Sequence, residues 1–237
     1  MSADHSRPNA MKLLAIDRST DRQSVALSVD GRICTCDLGG EDARSAGFPV
    51  AVRGFLERNG ISFSDLDRIA VGTGPGSFAG IRGALAFAQG LAIGMRDSGG
   101  RRSETDPLVY GVSSAAAAVH DGELAAVVGD ARQGLFWVAV YHGADAVANL
   151  HLVPRDGLSA AVPESAAVVT PDGSRIGGLL GDMFGGRFAG NRFPSAERIA
   201  QLALSHPDMF VPGPQPIYLS PAVRGPSANG GQNTLRR

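Results

Sequence analysis

The sequence predicts an α/β protein built as two tandem halves, each a mixed β-sheet with flanking helices, over residues 11–100 and 101–223. Two apolar runs end in a carboxylate, MKLLAID (Met11 to Asp17) and LAAVVGD (Leu124 to Asp130), and read as buried strands. Each is followed by a polar turn and then by an alternating run that stops at a glycine turn, SVALSVDG and LFWVAVYHG. Internal recurrence of such a unit marks a structural repeat. Strands, hairpins and helical segments alternate along the chain, which gives an α/β fold with a mixed sheet.

The elements follow in order. After MKLLAID and the polar loop RSTDRQ, the run SVALSVDGRICTCDL carries Asp30-Gly31 between alternating segments, a two-residue hairpin signal. Phe48, Val52, Phe55 and Leu56 fall at helical spacing, with Pro49 suited to a first turn and Asn59-Gly60 as the stop. RIAVGTG (Arg68 to Gly74) is another buried strand, and it leads into GPGSFAGIRGALAFAQGLAIG, a glycine turn that runs into a helix. MRDSGGRRSETDP (Met95 to Pro107) reads as a polar linker, LVYGVSS as a strand and Ser114 to His120 as a short Ala-rich helix. In the second half ARQG is a loop, ANLHLV a return strand, and Ser195 caps the helix SAERIAQLAL with Glu197 in its first turn. Val153 to Arg192 carries no clear element, and PIYLSPAV reads as an edge strand.

Composition narrows the function classes. With 237 residues, 43% hydrophobic, 19% charged and a net charge of −1, nothing in the whole chain calls for nucleic-acid or membrane-surface binding. No apolar run reaches the roughly 20 residues that cross a bilayer. MSADHSRPNA has no apolar core, so residues 1–10 are expected to be a disordered leader and not a secretory signal, and 224–237 a flexible tail. The two cysteines, Cys34 and Cys36, share one strand face and read as packing residues in a reducing compartment, so the cytoplasm is expected.

Two regions are candidates for function. The turn Gly72-Thr-Gly74-Pro-Gly76-Ser77 lacks the Gly-Lys-Ser/Thr of a P-loop and the dinucleotide spacing. It reads either as an anion site, with Ser77 at a helix N-terminus and Arg82 one turn on, or as a turn whose glycines permit tight packing. Asp17 and Asp130 likewise either meet across a cleft as Mg²⁺ or nucleophile-orienting carboxylates, or bond their own loops. The helix is more informative. Gly80, Gly83, Ala84, Phe87, Gly90, Leu91 and Gly94 lie on one face beside a second apolar face at Ile81, Leu85, Ala88 and Ala92. Each interior glycine costs about 1 kcal/mol relative to alanine, so a close neighbour is expected, either the Phe48 helix of this chain or a partner protein. No two histidines sit at i, i+4, and no G-x-S-x-G elbow occurs, so no catalytic or metal residue is assigned.

LLAIDRST with SVAL, GPGSFAGIRGALAFAQGLA, DARQG and PIYLSPAV together resemble the TsaB family, also called YeaZ, over Met11 to Val223. The resemblance implies two actin-like (ribonuclease H-like) halves in the actin, sugar-kinase and heat-shock ATPase superfamily. It implies a non-catalytic scaffold or dimerisation subunit of the complex that adds threonylcarbamoyl to the adenosine beside the tRNA anticodon. The implied partners are a TsaD-like catalytic homologue and a TsaE-like small ATPase, with tRNA met only through the complex and a homodimer when alone. It places the pairing surface on the first half's two helices, at Phe48, Val52, Phe55, Gly80, Gly83, Ala84, Phe87, Gly90 and Leu91. Asp17, Gly74, Gly76, Ser77, Arg82, Asp130 and Arg132 then form a vestigial nucleotide or phosphate site, with weak ATP or ADP and Mg at the complex interface and no cofactor required. Arg18, Ala43, Ala79 and Leu135 depart from the family pattern, which has Thr, His, Thr and Glu there. The rival readings are a small stand-alone ATPase or kinase using Asp17 and Asp130, and a homodimer with no catalytic partner.

Overall fold

The computed structural model describes residues 11–39, 47–97 and 108–219, so the expectations at 1–10, 224–237 and Ala43 lie outside the described residues. Strand β1 (Lys12–Asp17) pairs antiparallel with β2 (Ser24–Val29), and β2 with β3 (Arg32–Asp37). Asp30 and Gly31 join the hairpin with φ of 52° and 74°, the left-handed pair that a two-residue loop needs. On the other side of β1, β4 (Arg68–Gly72) and β5 (Val109–Val112) add in parallel. The second sheet repeats this order. There β6 (Leu124–Arg132) pairs antiparallel with β7 (Leu135–His142), β7 with β8 (Asp145–Pro154), and β9 (Ala167–Thr170) and β10 (Phe188–Asn191) add in parallel. The shared order, β3-β2-β1-β4-β5 and β8-β7-β6-β9-β10, makes the repeat read from two Asp-ended strands a topological one.

Parallel neighbours need crossovers, and these supply the helices. Helices α1 (Phe48–Arg58) and α2 (Phe78–Asp97) cover the outer face of the first sheet, where Leu14, Ile16, Val71, Val52, Phe55, Ile81 and Leu85 form one core. Helices α3 (Leu158–Ala161) and α4 (Gly173–Phe184) cover the second sheet's outer face. Helix α5 (Ala196–Ser205) sits between the sheets, in a core that joins Leu13, Ala15 and Ala26 to Val127, Trp137 and Ala139. Its cap is the expected one, with the Arg198 amide donating to Ser195 Oγ at 3.1 Å.

Several expectations change. LVYGVSS, assigned to the second half, forms β5 of the first sheet, and the edge strand there is β11 (Val211–Pro212), while 214–219 runs on as non-strand backbone. The division between the halves therefore falls after residue 112, not at 100, and the chain returns to the first sheet at its end. An apolar run shows burial but not which sheet will pair with it. The Ala-rich helix shrinks to a single turn, Ala116–Ala118. Strand β6 runs through Arg132, so Asp130 stands at a bulge and the loop is only Gln133-Gly134. Cys34 is exposed and only Cys36 packs against the core. The apolar stretch of helix α2 is 18 residues, just short of the roughly 20 named above. That stretch, Phe78–Met95, mean hydropathy 1.3, is long and apolar enough to cross a membrane by length and composition, and a third of it is buried.

Candidate functional site

Alternation along β1 sends Leu14 and Ile16 towards α1 and α2, and Leu13, Ala15 and Asp17 to the inter-sheet side. Asp17 is fully buried there. Its Oδ1 accepts from the Ser19 amide at 2.9 Å and from Ser19 Oγ at 2.7 Å, and its Oδ2 accepts from Ser114 Oγ at 2.7 Å. Burial pushes its carboxyl above the ordinary aspartate value, against the pull of these hydrogen bonds. Gly72 is required beside it, since a Cβ there would lie 2.0 Å from Oδ2.

The glycine turn is filled from within. The Ser77 amide donates to Ser19 O at 2.6 Å, and a Cβ on Gly76 would lie 2.0 Å from that same oxygen. One turn later a Cβ on Gly80 would lie 2.1 Å from Arg18 O. Of the two readings of this turn, close packing is the one realised, and its neighbour is the β1–β2 loop. Arg82, expected to add a cation to the turn, is exposed on α2 with its guanidinium 5.0 Å from the Phe78 ring centre. Gly74 is buried against Ile81.

Asp130 does not face Asp17 as an equal. It lines a cleft of about 470 Å³ between the sheets, with Ser19, Gly76, Ser77, Arg132, Trp137 and Arg175. There Asp130 Oδ2 pairs with Arg175 Nε at 3.1 Å and Arg132 at 3.6 Å, and Arg175 also pairs with Asp172. Mg²⁺ held through Asp17 does not fit this donor set, because both of its oxygens are taken by serine donors and it has no exposure. Among the described residues no three metal-ligating side chains cluster.

On the helices, the residues expected to form one face divide in three. Val52, Phe55, Gly80 and Ala84 are buried in this chain's own fold, which corrects their placement on a partner surface. Phe48, Gly83, Phe87 and Leu91 form the half-buried seam between α1 and α2, with the Phe48 and Phe87 rings edge-on at 4.9 Å. Arg18 lies in this seam, 4.2 Å above the Phe48 ring and against Gly83, with Nε donating to Gln23 at 2.7 Å. Of the residues assigned to the pairing surface only Gly90 is fully outward, with nothing within 4 Å of where its Cβ would lie. The rest of the outer face of α2, which sequence reasoning did not assign to the pairing surface, is Phe78 (52% exposed), Ala79, Arg82, Ala86, Gln89 and Ile93 (65% exposed). Because α2 is apolar all round, periodicity alone could not say which side meets the sheet. Ser114, 97 residues from Asp17, left no local signal, whereas Asp172 and Arg175 stand at i, i+3 and were open to reading.

Comparison with known proteins places this arrangement. The family model described as "TsaD: tRNA N6-adenosine threonylcarbamoyltransferase" matches residues 42–141. The "tRNA threonylcarbamoyladenosine biosynthesis protein TsaB" of Escherichia coli (strain K12) is 40% identical over 85 residues, and that of Haemophilus influenzae 34% identical over 84. Each alignment covers 35% of this chain and 36% of the relative, so about a third of their length is matched. The solved structure of YeaZ from Pseudomonas aeruginosa superposes with a TM-score of 0.67 at 26% identity, over 88% of this chain and 100% of that one. The chain resembles the TsaB/YeaZ family in these stretches and in fold. Its two mixed sheets with helices on their outer faces are the two-lobed actin-like fold expected of that family. Of the four departures from the TsaB/YeaZ pattern, Arg18 occupies the seam over Phe48, Ala79 is exposed on α2 and Leu135 opens β7.

Proposed function

We propose that the chain is a non-catalytic scaffold subunit of the complex that adds threonylcarbamoyl to the adenosine beside the tRNA anticodon. In this reading it acts in the cytoplasm, pairs with a TsaD-like catalytic homologue, works with a TsaE-like small ATPase and meets tRNA only through the complex. The relatives' names supply the pathway. The observation that carries the scaffold role is the outer face of α2. From Phe78 to Ile93 its exposed side chains carry one charge, Arg82, and Gly90 leaves backbone open to close approach by a neighbour. The seam residues Phe48, Gly83, Phe87 and Leu91 border that face.

The cleft supports the same reading. Nucleotide bound there at the complex interface would meet the exposed guanidinium of Arg132, while Asp17 is enclosed, Asp130 and Asp172 are paired with arginines, and Asp21 is the exposed carboxylate of the lining. The test is co-purification with the catalytic homologue and restoration of the tRNA modification in depleted cells. Gly90→Leu is expected to abolish capture while gel filtration shows a folded protein, whereas Gly83→Leu also disturbs Arg18. Unchanged capture by the Gly90→Leu protein rejects the interface. ATP hydrolysis by the purified chain alone, lost in Asp17→Ala, favours the stand-alone ATPase instead.

A further inference from the structure

We infer that Asp17 is a positioning residue: its buried carboxylate grips both ends of the Gly74–Ser77 turn and so sets the direction in which helix α2 leaves the first sheet. Two arms run from it. Through Oδ2 it takes the Ser114 hydroxyl, and Ser114 in turn accepts from the Gly74 amide at 3.0 Å while its own amide donates to Gly74 O at 2.8 Å. Through Oδ1 it takes the Ser19 amide and hydroxyl, and Ser19 O accepts from the Ser77 amide at 2.6 Å. The arms meet the first and last residues of the turn, and α2 starts one residue later at Phe78.

The surroundings are shaped to hold this geometry. Gly72 leaves no space beside Oδ2, Gly76 none beside Ser19 O, and Gly80 none beside Arg18 O. On its far side the turn is closed by the Thr73 hydroxyl on Val112 O at 2.9 Å and the Ile217 amide on Thr73 O at 2.9 Å. A carboxylate enclosed in this way receives donors and offers nothing to a ligand. Its work is mechanical, and it reaches the outer face of the protein through the helix it aims.

This role distinguishes asparagine from alanine. In Asp17→Asn, Oδ1 still accepts from Ser19, and Nδ2 donates to Ser114 Oγ, which has a second lone pair beyond the one used by Gly74. In Asp17→Ala both arms end on nothing. Amide hydrogen exchange on the whole chain reads the arms directly. Exchange at Ser77 is expected to rise roughly tenfold or more in Asp17→Ala and to stay within about twofold in Asp17→Asn.

If Asp17→Ala does not fold, Ser114→Ala removes one arm, and exchange at Gly74 is expected to rise by a similar factor. Unchanged exchange at Ser77 in Asp17→Ala, or at Gly74 in Ser114→Ala, overturns the inference. So does an Asp17→Asn protein as perturbed as Asp17→Ala, since the negative charge and not the strut would then matter. The consequence for pairing rests on the scaffold reading: capture of the catalytic homologue should follow the same order, wild type close to Asn and both well above Ala. Should wild type capture nothing, the scaffold reading fails, and the exchange data still decide the role of Asp17.

Discussion

Two glycines of one helix should respond in opposite directions to the same substitution. Alanine in place of glycine inside a helix contributes about 0.5–1 kcal/mol wherever the methyl group is accommodated. At Gly90 a Cβ meets nothing within 4 Å. Gly90→Ala should therefore stabilise the isolated chain by about 0.5–1 kcal/mol, which for a protein of this size raises Tm by roughly 1–4 °C. At Gly80 the Cβ would sit 2.1 Å from Arg18 O and 3.1 Å from Ser77 Oγ. The first is backbone and cannot rotate away, so the β1–β2 loop must move, at the roughly 1–3 kcal/mol typical of overpacking. That cost exceeds the propensity gain, and Gly80→Ala should unfold at a lower temperature than wild type. Calorimetry and urea titration of the two variants side by side give the comparison. Equal shifts of the same sign would refute the assignment of these glycines to an inner contact and an open face. A Gly90→Ala protein that is more stable alone yet weaker in capturing its partner would show that Gly90 serves the partner and not the fold.

Other expectations follow from neighbouring features. Asp17 has a folded pKa above its ordinary value of 3.8 because it is buried. Its contribution to stability is thus full below the unfolded value and is lost as pH rises through the folded one, and Asp17→Asn should flatten that part of a stability-against-pH profile measured in urea. Gly129→Ala would bring a Cβ to 2.2 Å from the indole of Trp137, so it should cost about 1–3 kcal/mol. Trp137 is the single tryptophan, and its displacement should appear as a red-shifted emission with no correction for a second fluorophore. Arg198 donates Nε to Val119 O at 3.1 Å within the protein, so Arg198→Ala should destabilise by about 1–3 kcal/mol in thermal unfolding.

Local chemistry was legible in the sequence, and long-range choices were not. The Asp30-Gly31 hairpin, the Ser195 cap and the stop of α1 at Asn59-Gly60 are each decided within a few residues, and each is realised. The repeat was legible because both copies keep a strand ending near an aspartate. What those aspartates do was not, since it depends on the loop that follows. Six residues after Asp17 fold back as a donor loop, while Gln133-Gly134 after Asp130 is too short to do so and leaves Arg132 and Arg175 as the partners. Glycine clearance in α2 was read as a sign of close approach by the Phe48 helix or a partner protein, and within this chain Gly80 has such a backbone neighbour while Gly90 has none. At Gly80 the approaching backbone belongs to this chain, because Arg18 and Ser19 are carried back over the turn.

The return of the chain to its first sheet bears on how the protein is made. Strand β11 closes the edge beside β5, and α5 brings Ile199 and Leu202 against Leu13, Ala15 and Ala26. During synthesis at about 5–20 residues per second, the first sheet therefore waits on the order of ten seconds with its inner apolar side uncovered. That side is covered only once α5 has left the ribosome, and the edge is closed when β11 follows. A chain cut between the sheets would leave Leu13, Ala15 and Ala26 without that cover.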